Sequence, residues 1–137
     1  MRIANPIASL GEDVACDYLK KKGYKIIERN FRKKYQEIDI IAIQGSTRST
    51  GSGQAKLTPG GSTLVFVEVK TRRSNSFGSP FESIAPWKLK HLVRLAQFYK
   101  QLHPHLPDFM RIDAIGIILS SNNKLEKLEH LENISGF

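Results

Sequence analysis

Thr63–Lys70, read as TLVFVEVK, is the stretch whose reading decides the fold. It is a β-branched and aromatic run, the composition of a strand. It closes on a carboxylate and an amine two residues apart. Residues i and i+2 of a strand point to one face. Glu68 and Lys70 therefore stand side by side, with Leu64 and Phe66 behind them, while Val65, Val67 and Val69 fill the opposite face. Such a pair has two readings. One is an ion pair where the strand reaches the surface, contributing little. The other is a metal-dependent phosphodiesterase site, in which Glu68 holds a divalent cation and Lys70 attends the attacking water.

The segment upstream weighs on that choice. Glu37–Ile43, EIDIIAI, reads as a second strand, and its β-branched run points to burial on both faces. Strict alternation puts Glu37, Asp39, Ile41 and Ile43 on one face. Asp39 then sits within an apolar strand, where aspartate is uncommon and a buried carboxylate needs a partner or a metal. Between these strands lies Gln44–Ser62, QGSTRSTGSGQAKLTPGGS, rich in Gly, Ser and Thr and without apolar pattern. It is expected to be a structureless insertion at the tip of a hairpin. The hairpin makes the two strands antiparallel neighbours and turns Asp39 and Glu68 toward the same side.

Working outward, Asn5-Pro6 marks a helix start, with Asn5 as N-cap and Pro6 at the first position. Ser9-Leu10-Gly11-Glu12 offers a second start as a capping box. Ile7, Leu10, Val14, Ala15 and Tyr18 form an apolar stripe at helical spacing. Lys20, Lys21 and Lys22 suit the helix C-terminus, and Gly23 ends it. Glu12 lies at the border of the stripe with Ala8, Ala15 and Leu19. It is either the capping glutamate or an acid leaning over the core edge. Cys16 reads as filler away from the centre of the stripe. Tyr24–Phe31 is expected as a strand, followed by a basic turn at Arg32, Lys33 and Lys34.

Downstream, Arg72 and Arg73 form a basic exit from the central strand, and Ser74–Pro80 is a loop. Pro86 opens a second helix with Leu89, Leu92, Val93, Ala96 and Tyr99 on its apolar face. Lys88, Lys90, His91, Arg94 and Lys100 make the other faces basic. His103-Pro104-His105 ends it; two imidazoles at i and i+2 could ligate a metal, but the pair is not read as a metal site. Met110–Leu119 is an apolar strand carrying Asp113; Leu125–Ile134 is ambiguous, since Leu125, Leu128 and Leu131 are spaced as in a helix, and it is taken as a terminal edge strand. The order is helix, three strands, helix, two strands: an α/β domain with a mixed sheet of five strands flanked by helices.

At 137 residues the chain is expected to be one domain, 1–137, with the insertion at 44–62. The net charge of +8 favours a polyanionic partner, most often nucleic acid. The single cysteine excludes an intrachain disulfide and suits a reducing cytoplasm. No apolar run approaches a membrane span and no signal-peptide core opens the chain, so a membrane role is not expected. If the first helix packs on the acidic face, Glu12, Asp39 and Glu68 converge with Lys70. Carboxylates that close together call for a hard cation, and an all-oxygen donor set suits Mg²⁺ or Mn²⁺. Arg32, Lys33, Lys34, Arg72, Arg73, Lys88 and Lys90 are the expected phosphate contacts.

The segments GEDVACDYLKKKGYKIIERNFR, QEIDIIAI, TLVFVEVKTRRSNSFGSP and MRIDAIGII together resemble the YraN-like family of uncharacterised bacterial proteins. That family is similar in turn to the PD-(D/E)XK nucleases, particularly archaeal Holliday-junction resolvases. The resemblance covers nearly the whole chain outside the insertion. It implies a restriction-endonuclease-like fold and a Mg²⁺- or Mn²⁺-dependent endonuclease acting on DNA, branched or single-stranded, in repair or recombination. In that pattern the helix glutamate matches Glu12, the strand aspartate Asp39, and the Glu-x-Lys pair Glu68 and Lys70. A homodimer is plausible by the same likeness. One departure is Gln36-Glu37-Ile38-Asp39, where the family usually reads Gly-Glu-Ile-Asp. The competing class is a nucleic-acid-binding module that keeps the fold without hydrolysis.

Overall fold

The computed structural model describes residues 6–45, 47–49, 55–57, 61–74 and 78–135. Helix α1 (Pro6–Lys21) leads into β1 (Lys25–Lys33) and β2 (Gln36–Gln44). The short strands β3 (Thr47–Ser49) and β4 (Ala55–Leu57) come next, then the central β5 (Thr63–Arg73). A 3-10 turn (Pro80–Ser83) and α2 (Pro86–Leu102) cross to β6 (Phe109–Leu119), and β7 (Leu125–Leu131) closes the chain. The main sheet has the order β1-β2-β5-β6-β7. Only β5 and β6 run parallel; the other neighbours are antiparallel. This is the mixed five-stranded α/β architecture expected, and it is consistent with a restriction-endonuclease-like fold.

The two faces of β5 separate the core into two layers. Val65, Val67 and Val69 pack with Ala15, Cys16 and Leu19 of α1, while Leu64 and Phe66 pack with Leu92, Leu95, Ala96 and Tyr99 of α2. Strict alternation on a strand buried on both sides makes this inevitable. One consequence differs from expectation: α1 covers the valine face, opposite the face shared by Phe66 and Glu68. Its buried stripe is also rotated. Gly11, Glu12, Ala15, Cys16 and Leu19 are buried, whereas Leu10 is exposed. Glu12 and Cys16 thus belong to the packed face, Glu12 toward the edge that borders a cavity. Gly11 permits this approach, because a Cβ there would overlap the Thr71 side chain on β5.

Local signals account for most boundaries. Gly23 takes φ 93°, and Tyr24 N–H reaches Leu19 O while Gly23 N–H reaches Lys20 O, the paired bonds of a Schellman cap. α1 runs straight through Ser9–Glu12, so the second start is not used. Asn5, the expected N-cap, lies outside the described residues. Gln44–Ser62 is not wholly structureless, since β3 and β4 pair as an antiparallel ribbon. The Gln44↔Thr63 pair holds the two arms together, and adjacent backbones can pair without an apolar pattern. No helix among the described residues is long and apolar enough to cross a membrane.

Candidate functional site

The site forms where β2 leaves β5. Their ladder runs from Gln44↔Thr63 to Ile40↔Val67 and stops there. At the next position the Asp39 carboxylate, not a backbone carbonyl, accepts the Val69 N–H at 2.8 Å. Alternation along β2 breaks at the same residue: Ile38 and Ile41 pack on the α2 side, Ile40 and Ala42 on the α1 side. Opposite Asp39 on β1 sits Asn30, with φ 55°, between the pairs Arg29↔Ile40 and Phe31↔Ile38. Left-handed backbone is tolerated by asparagine and costly for bulkier residues. This paired irregularity releases Glu37 and Asp39 from the face of Ile41 and Ile43, contrary to the strict-alternation reading. It also lets α1 contribute, although α1 lies on the valine face.

Carboxylate oxygens of Glu12, Glu37 and Asp39 lie within 4.8 Å of one another. Asn30 bridges two of them, its Nδ2 donating to Glu12 Oε1 at 2.8 Å and to Glu37 Oε1 at 2.9 Å. Arg32 Nε donates to Glu37 Oε2 at 2.6 Å. Arg29 donates to Asp13 at 2.9 Å and stands 3.9 Å from Glu12. Glu68 lines the same cavity, a space of about 470 Å³, together with Lys70, Arg32, Lys34 and Lys88. Lys70 Nζ is 3.2 Å from Glu68 Oε1, so the i, i+2 pair does stand side by side. Glu68 is 5% exposed, and its Oε2 is buried without a hydrogen-bond partner among the described residues.

The electrostatics follow from that crowding. Burial, and then the neighbouring Glu68 charge, push the Asp39 carboxyl from 3.8 up to about 8, against the lowering hydrogen bond from Val69. A carboxylate whose charge is opposed by burial and by a neighbouring acid, a buried orphan oxygen on Glu68 and an all-oxygen donor set fit a hard divalent cation. Glu12, Glu37 and Asp39 are the residues whose carboxylates lie close enough to share one; Glu68, expected as a ligand, lines the same cavity outside that group and is paired with Lys70.

Of the sequence candidates, the structure brings Glu12, Asp39, Glu68 and Lys70 into one cavity. Glu37 and Asn30 were missed as site residues. Glu37 had a signal, since it stands two residues before Asp39; Asn30 had none, because only its backbone conformation aims the amide. Among the basic candidates, Arg32, Lys34 and Lys88 line the site, with Arg32 committed to Glu37. Lys33 Nζ lies 3.6 Å from the centre of the Phe98 ring. Arg73 is engaged with Ser120 O at 2.9 Å and Asn123 Oδ1 at 2.7 Å, holding the β6–β7 turn. Arg72 and Lys90 are not among the residues lining the cavity. Gln36, at the family's usual glycine, pairs with Lys33 across the hairpin, and its amide contacts His91 Nδ1 at 2.9 Å. His103 acts as a helix cap, its Nδ1 hydrogen-bonding Tyr99 O at 2.9 Å.

A mixed sheet whose central strand carries Glu-x-Lys beside an acidic cluster defines a restriction-endonuclease-like α/β protein with a candidate metal centre. The chain belongs to the uncharacterised protein family UPF0102, whose model matches residues 11–117, in keeping with the YraN-like resemblance. It is 36% identical over 127 residues to a UPF0102 protein of Caldicellulosiruptor saccharolyticus, covering 93% of this chain and 94% of that one. A UPF0102 protein of Caldanaerobacter subterraneus subsp. tengcongensis is 38% identical over 134 residues, covering 93% and 92%. One from Renibacterium salmoninarum is 33% identical over 134 residues, covering 98% and 99%.

Proposed function

We propose that this protein is a metal-dependent endonuclease that hydrolyses phosphodiester bonds in DNA. The observation that carries the reading is the convergence of Glu12, Glu37, Asp39 and Glu68 with Lys70 in one cavity, with a buried Glu68 oxygen left unpartnered. A bound Mg²⁺ or Mn²⁺ would supply Lewis-acid stabilisation of the charge that grows on the phosphoryl group. The protein's own groups do the rest. Lys70, fixed by Glu68, offers a cationic donor to the attacking water or to the phosphate. Asp39 is fixed where β2 parts from β5 by the hydrogen bond that its Oδ2 accepts from the Val69 N–H. Asn30 sets the spacing of Glu12 and Glu37. Lys34 and Lys88 at the cavity wall attract the backbone. The one cysteine, Cys16, is buried and unbridged, which suits the cytoplasm where such a substrate resides.

A second reading, a nucleic-acid-binding module without hydrolysis, draws support from the ion pairs Arg32–Glu37 and Lys70–Glu68, which already compensate two of the acids. The test is incubation with branched, nicked and single-stranded DNA in Mg²⁺ or Mn²⁺, beside Lys70→Ala and Asp39→Ala. Cleavage by the native chain, abolished by EDTA and by both substitutions, is expected. Salt-sensitive binding with no cleavage of any substrate would replace the first reading with the second. Cleavage surviving in both variants would refute the assigned site.

A further inference from the structure

Next to the acidic cavity lies a second one of about 490 Å³, and the two share Lys34, Tyr35 and Gln36. Its character is opposite. Lys33, Lys34 and Arg94 line it, and no carboxylate among the described residues does. It also carries two aromatic rings with no part in the core: Tyr35 is 104% exposed and Trp87 63%. Tyr35 sits at the tip of the β1–β2 hairpin, whose two-residue turn places Lys34 at φ 58°. That conformation is disfavoured for lysine, yet it sets Lys34 and Tyr35 at the mouth common to both cavities. Trp87 lies in the first turn of α2, edge-on to His91 at 5.7 Å between ring centres. His91 is tied in turn to Gln36.

Exposed aromatic rings cost solvation and aggregation resistance unless something covers them. Cations interleaved with rings, without acids, complement a strand of phosphates and flat bases. The volume is in the range of small-ligand cavities. A base-paired duplex keeps its bases stacked inside and cannot offer their faces to Trp87 or Tyr35. An unpaired nucleotide can.

We propose that this groove binds unpaired nucleotides of the substrate, stacking bases on Trp87 and Tyr35 while Lys34 and Arg94 meet the flanking phosphates. The proposal rests on the nuclease reading in taking DNA as the substrate, and it names the substrate class: DNA with a single-stranded segment adjoining the scissile phosphate. The groove is a specificity element, separate from the acidic residues.

Trp87 is the chain's single tryptophan, so its fluorescence reports the groove alone. The experiment titrates the full chain in EDTA with a single-stranded oligodeoxynucleotide, a forked duplex and a blunt duplex. Tryptophan quenching and the anisotropy of labelled DNA are followed together. Quenching by the single strand and the fork, with weaker binding of the blunt duplex, is expected. Trp87→Ala is expected to weaken single-strand binding by roughly 5- to 100-fold, and Trp87→Phe to retain most of it. Arg94→Ala should lower both affinity and its salt dependence. Trp87 is exposed, so these variants fold; matching circular dichroism confirms it. Equal affinity for all three DNAs, or Trp87→Ala binding like the native chain, overturns the proposal. Absence of quenching overturns it too and leaves a protein partner as the occupant. Because no divalent cation is present, the result is independent of cleavage: a chain that binds here yet cuts nothing sinks the nuclease reading alone.

Discussion

Replacing Asp39 with asparagine should make the cation-free protein more stable at alkaline pH, not less. The native carboxyl rises from 3.8 to about 8 because it is buried beside Glu68. An acid with a raised folded value contributes stability that is complete below its unfolded value and is lost as pH climbs toward the folded one. Here that window runs from 3.8 to about 8. Each unit is worth about 1.36 kcal/mol, so the passage from about pH 5 to about pH 8 removes about 4 kcal/mol at most. Asp39 is mostly buried but keeps some solvent contact, which screens part of that loss and leaves about 2–4 kcal/mol. Asparagine is nearly isosteric, and its amide oxygen can still accept the Val69 N–H. The assay is urea unfolding of both proteins in EDTA across that range. The native curve should fall relative to the variant as pH rises. Saturating Mn²⁺ should then invert the order, because a cation stabilises only the chain that binds it. Parallel pH dependences in EDTA would refute the electrostatic argument, and equal stabilisation of both proteins by Mn²⁺ would refute the ligand assignment.

Further outcomes follow from other contacts. Asp113 is fully buried and accepts from Arg111, His130 and the Asn133 N–H; burial opposes its ionisation, but the bonds from His130 and Arg111 hold it below the usual carboxylate value. Asp113→Asn should therefore cost about 3–5 kcal/mol at neutral pH, as read by urea unfolding. That difference should shrink as pH falls below 3.8, where the native carboxyl's contribution is lost. Asn30→Gly keeps the left-handed backbone but removes the amide joining Glu12 to Glu37, and should weaken Mn²⁺ binding by about 10-fold or more in calorimetric titration. Unchanged affinity would show the bridge to be incidental. Gly11→Ala drives a methyl group into Thr71 and should cost about 1–3 kcal/mol, with part of the loss recovered in the double variant carrying Thr71→Ala.

The elements were legible where local chemistry and packing agree. The central strand showed its two faces as alternating residues, and α2 opened at Pro86 as its sequence indicated. The α1 stripe was misjudged because hydrophobicity alone favoured Leu10, whereas close approach to β5 selected Gly11 and buried Glu12. Shape decided that face, and apolar periodicity carries no record of a glycine packed on a threonine. The β3–β4 ribbon escaped notice for a related reason: backbone pairing held by the flanking hairpin leaves no side-chain pattern.

For the site, the sequence by itself determined the acid–lysine pair on β5, because period two puts Glu68 beside Lys70 whatever surrounds them. It also marked Asp39 as anomalous, because an acid inside an apolar strand needs a partner. Only the tertiary structure decided how the rest assembles. The β2–β5 ladder stops at Ile40, and Asn30 adopts its left-handed turn opposite Asp39. That gap admits Glu12 from the far face, recruits Glu37, and joins the acidic cavity to the groove of Tyr35 and Trp87. Alternation along one strand is a local property of the backbone. Where two strands part depends on both of them and on the helix packed behind.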